Sequence, residues 1–296
     1  MIPRAIGIDI GTTFVKAVLV TGAGEVISRT QSNTDDWRSE LLRIVERFDG
    51  EFGYVPAIGV SAPGIARRDG RGISWMTGRM AGLVNFDFTS HVKRANHVPV
   101  LNDAMAALLG ESWLGAARGI EDAVLLTLGT GVGGAILSGG KLLKGYSGRA
   151  GHLGHLTIDS AGPLDICNTP GSIEDAIGNH SLTERSSDRF RSTEALVAAY
   201  EAGDVEAGEI WIASIRKLAA ALASLINIID PQRIILGGGM IRAGDSLFRP
   251  LHAELARVEW RPFGMGIEIV PAELGEWAGA IGSAANVMRI SAETES

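Results

Sequence analysis

The chain writes one short pattern twice. Residues 5–32 run "AIGIDIG", a tight "TTF", "VKAVLVT", "GAG" and "EVISRTQS"; residues 122–148 run "DAVLLTLG", "TGVG", "GAILSGG" and "KLLKGYSG". Aliphatic and β-branched runs separated by Gly and Thr turn signals read as strand, turn, strand, turn, strand. Any fold must therefore hold two halves built on one plan, each opening with a hairpin tipped by Gly and Thr, in "DIGTT" and "LGTGVGG". With 296 residues, 46% of them hydrophobic, the chain is long enough for two α/β domains.

Helices fill the gaps between strands. After Thr34 the apolar residues Trp37, Leu41, Val45 and Phe48 recur near helical spacing, with Asp35 and Asp36 expected in the first turn, where the helix dipole favours acidic groups. "AIGVSAPGIA" reads as a strand broken at Pro63-Gly64, and "VPVLND" as a strand handing over at Asp103 to the helix "AMAALLGESWLGAA". Further helices are expected at 172–177, 194–201, 209–229, 246–258 and 279–290, with strands at "RIILGGGM" and "IEIVPAEL" and a floppy end at "SAETES".

The 27 basic and 34 acidic residues are scattered, so no basic stripe calls for nucleic acid or an anionic membrane. The run Leu218–Ile229 is shorter than the roughly 18–20 residues that span a bilayer and reads as a buried helix. A single cysteine, Cys167, rules out an intrachain disulfide and suits a reducing compartment. The start "MIPRAIGIDIGTT" lacks the small-residue cleavage site of a signal peptide, so a cytoplasmic location is expected.

"GTGVGG" is not a dinucleotide fingerprint, because "GAILSGG" continues as a strand where that motif needs a helix. Gly-Thr tips are either tight turns or anion-binding nests, in which successive backbone N–H groups and a hydroxyl face a phosphate. Asp9, in a β-rich run, either bonds the next turn or helps to hold Mg²⁺ through water. Asp103 is either the cap of the helix from Ala104 or a working carboxylate at a strand end. Phosphoryl transfer to an alcohol needs a carboxylate base, a metal and donors around the transferred group, and these residues would supply that set.

The ordered motifs "GIDIGTT", "SAPG", "LNDAMAALLGE", "LGTGVGGAILSGGKL", "AGHLGH", "PGSIE", "DPQRIILGGG" and "GAIGSAA" resemble the ROK family of sugar kinases, within the actin, hexokinase and Hsp70 superfamily. The resemblance implies an α/β fold of two ribonuclease-H-like domains with a central cleft. Domain one would span 1–117, completed by the C-terminal helix 279–296, and domain two 118–278. The early first strand leaves no room for the helix-turn-helix of the family's repressors, which favours a kinase; the intact Asn102-Asp103 pair argues against a catalytically silent sugar sensor, and the "AGHLGH" and "PGSIE" loops against an actin-like or chaperone-like ATPase. Asp103 would be the base, with Asn102, His155 and Glu174 touching sugar. Asp9, Gly11, Thr12, Thr13 and Lys16 would form the first phosphate loop, and Thr130, Gly131 and Gly133 the second. Gly237, Gly238 and Gly239 would admit adenosine. ATP, Mg²⁺ (on Asp9, through water), a sugar substrate and a homodimer complete the expectation.

Four places depart from the family. His152 stands where a sugar-binding glutamate is usual, and Thr12 where a second glycine is common. Asp165 and Ser172 occupy two of three cysteine places in the zinc cluster, leaving Cys167; no structural zinc is expected, the alternative being a mixed His155, Asp165 and Cys167 site. In "MTGRMAGLVNF", Arg79 takes a sugar-binding asparagine's place and Leu83 a tryptophan's. His152 and Arg79 would shift the pocket from acidic toward basic, favouring a sugar acid or an oxidised or cyclic polyol over plain glucose.

Overall fold

The structure is a computed structural model that describes residues 4–94, 96–262 and 264–295. Two compact units emerge: Met1–Gly119 with Leu142–Ala150 and Ala272–Ser296, and Ile120–Lys141 with Gly151–Pro271. The segment 142–150, expected in the second domain, groups with unit 1, as do residues 272–278.

In unit 1, β1 (Arg4–Ile10), β2 (Phe14–Thr21) and β3 (Val26–Asn33) form the expected antiparallel meander. α1 (Trp37–Phe52) follows, buried along Trp37, Leu41, Ile44, Val45 and Phe48. Asp36 lies just outside this helix, not in its first turn, because its carboxylate caps the backbone N–H of Ser39. β4 (Ala57–Ala62) pairs parallel with β1, and Pro63-Gly64 breaks it from the small hairpin β5 (Ile65–Ala66) and β6 (Ile73–Trp75). α2 (Phe88–His91), β7 (Val100–Asn102) and α3 (Asp103–Leu114) complete the run, giving the sheet order β3-β2-β1-β4-β7.

Unit 2 repeats the plan. β8 (Ala123–Leu128) and β9 (Val132–Ser138) form the second hairpin, but β10 is only Lys141–Leu142. The third strand expected there is cut short by Gly145 and Gly148, whose φ values of 68° and 86° turn the chain away. Then come α4 (Ile173–Ile177), α5 (Leu182–Arg185), α6 (Thr193–Glu201), α7 (Val205–Ile229), β11 (Arg233–Gly237), α8 (Asp245–Val258) and β12 (Glu268–Pro271). The order β10-β9-β8-β11-β12, with β11 parallel to both β8 and β12, matches unit 1 strand for strand. α7 is long and apolar enough by length and composition to cross a membrane. Its buried residues, among them Trp211, Ile215, Leu218 and Leu222, fill the core of unit 2, and the Trp211 Nε1 donates to the Ser246 carbonyl at 2.8 Å.

The last helix, α9 (Ala278–Glu295), returns to unit 1, and its helical backbone runs through most of the segment expected to be floppy. It packs backbone to backbone. A Cβ on Gly59 of β4 would sit 2.0 Å from the Ser283 carbonyl oxygen, and one on Gly282 would sit 1.7 Å from the Ala106 carbonyl oxygen of α3. Neither neighbour is a side chain that can rotate away. Gly282→Ala is therefore expected to cost about 3 kcal/mol or more. Urea unfolding of the variant against the parent checks this, and a loss below about 1 kcal/mol would show that α9 can shift without penalty.

Candidate active site

In unit 1 the first Gly-Thr tip joins β1 to β2. The Gly11 N–H donates to the Phe14 carbonyl at 2.9 Å, and Thr34, buried beneath the tip, donates its hydroxyl to the Gly11 carbonyl at 2.8 Å and its N–H to the Thr13 carbonyl at 3.1 Å. Thr12 and Thr13 stay exposed. One residue before the tip's strand end, Asp9 lies in register with Ser61 on β4, whose hydroxyl donates to its carboxylate at 2.7 Å. A Cβ on Gly279 would fall 2.7 Å from the Asp9 carboxyl carbon, so the glycine in the first turn of α9 makes the room this carboxylate occupies. Ser61, Thr34 and Gly279 went unread in the sequence because each reaches the site from a distant element.

Burial pushes the Asp9 carboxyl up to about 6; the Asp103 charge adds to the rise, while the Ser61 bond and Lys16 oppose it. Lys16 gives only part of its charge to Asp9, since it pairs with Glu276 at 2.8 Å. A half-buried carboxylate with a second carboxylate nearby and one partly committed ammonium suits a bound cation.

Asn102 and Asp103 straddle the junction of β7 and α3. The cap is Asn102: its Oδ1 accepts from the N–H groups of Ala104 and Met105 at 3.0 and 3.4 Å, and its Nδ2 donates to the Gly64 carbonyl at 3.0 Å. Asp103 is the first helical residue and exposed, with Oδ1 accepting from the Ala104 N–H at 2.8 Å. Arg79 sits in the 3₁₀ turn Gly78–Leu83 and forms an exposed ion pair with Asp35 at 2.8 Å. The guanidinium expected in a sugar pocket is committed to a solvated carboxylate, and Leu83 in the same turn is buried in the core.

In unit 2 the tip between β8 and β9 carries Thr130 and Gly131, and Gly133 lies inside β9 opposite Thr127. Glu174, from the first turn of α4, accepts the Val132 N–H at 2.9 Å. A Cβ on Gly131 would lie 2.3 Å from that carboxylate, so the glycine serves this contact whatever else it binds. His152 stands at the head of the 3₁₀ turn Leu153–His155, half-buried. His155 bonds through Nδ1 to Oδ2 of buried Asp165 at 2.8 Å, with Nε2 at 3.6 Å from the Cys167 sulfur.

His155, Asp165 and Cys167 thus converge, their ligand atoms all within 4.8 Å of one another. Ser172 does not join them as a ligand; its hydroxyl caps α4 by accepting the Asp175 N–H at 3.2 Å. Three donors fall one short of the four that a structural zinc takes. The set does not fit a structural zinc.

Gly237 ends β11, and Gly238 adopts φ 83° with its Cα packed on the Leu128 backbone, a conformation and an approach that exclude a side chain. Beside Gly239 opens a pocket of about 200 Å³, walled by Met240, Arg242 and Ala243 and, from α6, by Thr193, Glu194 and Val197. The α6 wall was not legible in the sequence, where that helix shows only an apolar stripe.

Because Asp9 is held near 6 against an ordinary 3.8, its ionised form in the folded state costs on the order of 2–3 kcal/mol. Below about 4 the folded and unfolded chains are both protonated at this group and the cost vanishes; it grows as pH rises and is complete above about 6. Asp9→Asn, without metal or nucleotide, is expected to stabilise the protein at pH 7.5 and much less at pH 4.5. Thermal unfolding of both proteins across that range checks it; a destabilised or pH-independent variant would contradict the electrostatic account.

The sequence model of the ROK family matches residues 5–290. The glucokinase of Thermotoga maritima is 30% identical over 95% of this chain and 96% of its own length. Among solved structures, the ROK hexokinase from Thermus thermophilus superposes with a TM-score of 0.86 at 28% identity, covering 98% of this chain and 99% of that one. The ROK family glucokinase from Streptomyces griseus, in complex with glucose and AMPPNP, does so with a TM-score of 0.76 at 27% identity over 97% and 99%. Each unit repeats one sheet plan, the two Gly-Thr tips carry their flanking carboxylates, and the match runs nearly end to end: the chain belongs to the ROK family.

Proposed function

We propose that this protein transfers the γ-phosphoryl group of ATP to a hydroxyl of a hexose or related sugar derivative, with Asp103 as general base. The observation that carries the assignment is the division of labour at the start of α3. Asn102 takes the capping role, and Asp103 stands exposed beside it. Within unit 1 this reading assigns the base to Asp103, a sugar contact to Asn102 and phosphate binding to Gly11, Thr12, Thr13 and Lys16. Within unit 2 it assigns phosphate binding to Thr130 and Gly131, sugar contacts to His152, His155 and Glu174, and adenosine to the pocket beside Gly239. Asp9 would hold Mg²⁺ through water, and the ion would offset the charge of the phosphates. The protein is assigned as a homodimer that needs no structural zinc.

At the acceptor, the Asp103 carboxylate takes the hydroxyl proton as the oxygen attacks phosphorus, so the alkoxide never forms free. Backbone N–H groups at a Gly-Thr tip would stabilise phosphate charge without reorganising during the reaction.

Asp103→Asn is expected to keep the fold and nucleotide binding and to lower kcat by about 10²- to 10⁴-fold. A coupled ADP-release assay over a sugar panel measures this. A rate within a few-fold of the parent would reduce Asp103 to a structural residue and remove the mechanism.

The argument for a basic sugar pocket rests on His152 and on Arg79, which pairs with Asp35 at the surface. Losing the glutamate usual at position 152 leaves a sugar hydroxyl without its acceptor, worth roughly 1–3 kcal/mol. Glucose is therefore expected to rank below a sugar acid, an oxidised or cyclic polyol, or another derivative altered at that hydroxyl, when compared by kcat/KM. His152→Glu should raise glucose in the ranking. Glucose as the best substrate of the parent, or an unchanged ranking in the variant, would refute the assignment of His152.

Elemental analysis of the purified protein is expected to find well under one zinc per chain, with the melting temperature unchanged by chelator. One tightly held zinc would mean that His155, Asp165 and Cys167 complete a site with a ligand other than Ser172.

A further inference from the structure

Behind the second Gly-Thr tip stands a histidine that the proposed reaction does not use. His180 lies in the 3₁₀ turn Asn179–Ser181 after α4, and its ring bridges two acceptors. Nδ1 is 2.9 Å from the Thr130 carbonyl oxygen and Nε2 is 2.8 Å from Oδ1 of Asp175. A carbonyl and an ionised carboxylate have no hydrogen to give, so the ring serves both acceptors at once only as an imidazolium. The same carbonyl also receives the His180 backbone N–H at 2.9 Å, while the Asn179 N–H reaches the Gly129 carbonyl at 3.0 Å. From the start of α4, Glu174 takes the Val132 N–H at 2.9 Å. Segment 174–180 thus grips both strand ends of the tip.

We propose that His180 is a positioning residue for the ATP phosphates: by fixing the Thr130 carbonyl it fixes the peptide unit that carries the Gly131 N–H. In a planar trans peptide the C=O and N–H point in opposite directions, so a carbonyl anchored on His180 aims that N–H to the far side of the tip. A loose peptide unit would have to be ordered at each binding event; an anchored one is ordered beforehand. The inference rests on the reading that this tip binds ATP.

Charge around the ring supports the arrangement. Burial works against the imidazolium, but the Thr130 carbonyl, Asp175 and the Glu174 charge outweigh it, and the net direction is upward from 6.5. Those two acidic groups come from α4. From α5, the Arg185 guanidinium bonds Ser181 Oγ at 3.0 Å and the Gly178 carbonyl at 2.9 Å, and burial lowers it to about 10. Gly129 to Val132 bring no ionisable side chain. A neutral ring keeps one N–H and can serve only one of its two acceptors, so the double bridge is present at low pH and lost as pH rises through the raised value.

The test is KM for MgATP at saturating sugar from pH 6.5 to 9, for the parent and His180→Gln, whose amide reaches one acceptor and not both. Expected is a rise of about tenfold in the variant at pH 7, flat with pH, with kcat and the sugar KM moving far less. The parent's KM should climb toward the variant's as pH rises. Long-range ¹H–¹⁵N NMR of the parent, which does not depend on how the variant folds, should find both His180 nitrogens protonated at pH 7. A neutral ring at pH 7, or an unchanged KM for MgATP in a parent and variant that both turn over, overturns this inference alone. Absence of phosphoryl transfer in the parent overturns the kinase reading and this inference with it.

Discussion

Close packing of α9 against β1, β4 and α3 is the constraint on which unit 1 depends. A helix normally keeps about 8–10 Å from its neighbour because side chains intervene. Here glycines on both faces remove them: Gly7 and Gly59 on the sheet, Gly110 on α3 and Gly282 on α9 itself. Burial of Ala5, Val20, Ala284 and Val287 seals the contact. That approach decides where the chemistry sits, because it sets the first turn of α9 against Asp9 and leaves Gly279 as the gap the carboxylate enters. Glu111, fully buried in α3, fastens the approach to α9 by accepting the Leu274 N–H at 2.9 Å and the Ala116 N–H at 2.7 Å.

Unit 2 solves a different problem, holding a glycine tip still without side chains of its own. Glu174 and His180 do so from the α4 segment, so residues proposed for sugar and for nucleotide meet within one stretch of chain. Glu174 is assigned to sugar yet bonds the tip through Val132, while Asp175, next in sequence, holds the ring that holds Thr130. A displacement of α4 would therefore move both sets together.

Much of this was legible in the sequence, and what was missed has identifiable causes. Aliphatic and β-branched runs with Gly-Thr turns announced both hairpins, and the Trp37, Leu41, Val45, Phe48 stripe announced α1, because these signals are local. The third strand of unit 2 failed since "KLLKGYSG" has strand-like composition but glycines whose φ values end it after Leu142. "Asn-Asp" before a helix suggested Asp103 as the cap, whereas the Ala104 and Met105 N–H groups fall to Asn102 and Asp103 becomes the first helical residue. Ser61, Thr34, Gly279 and His180 carry no pattern of their own. Each matters through a partner many residues away, so their roles exist only once the chain has folded. Arg79 shows the converse: a suggestive place in the sequence, and a solvated partner in the fold.

The loop from His155 to Ser172 shows how a ligand cluster can change its chemistry and keep its shape. Asp165 bonds His155 through one oxygen and, through the other, accepts the N–H groups of Cys167 and Thr169, both at 2.8 Å. One carboxylate thereby ties a ring and two backbone points, a task that elsewhere falls to a metal ion. Burial raises its pKa, but those three bonds outweigh it and the net direction is downward. Ser172, too short and too weak a donor for a metal, is a good N-cap and has become one. The loop that carries His155 is thus held by the bonds of Asp165 and by the Ser172 cap.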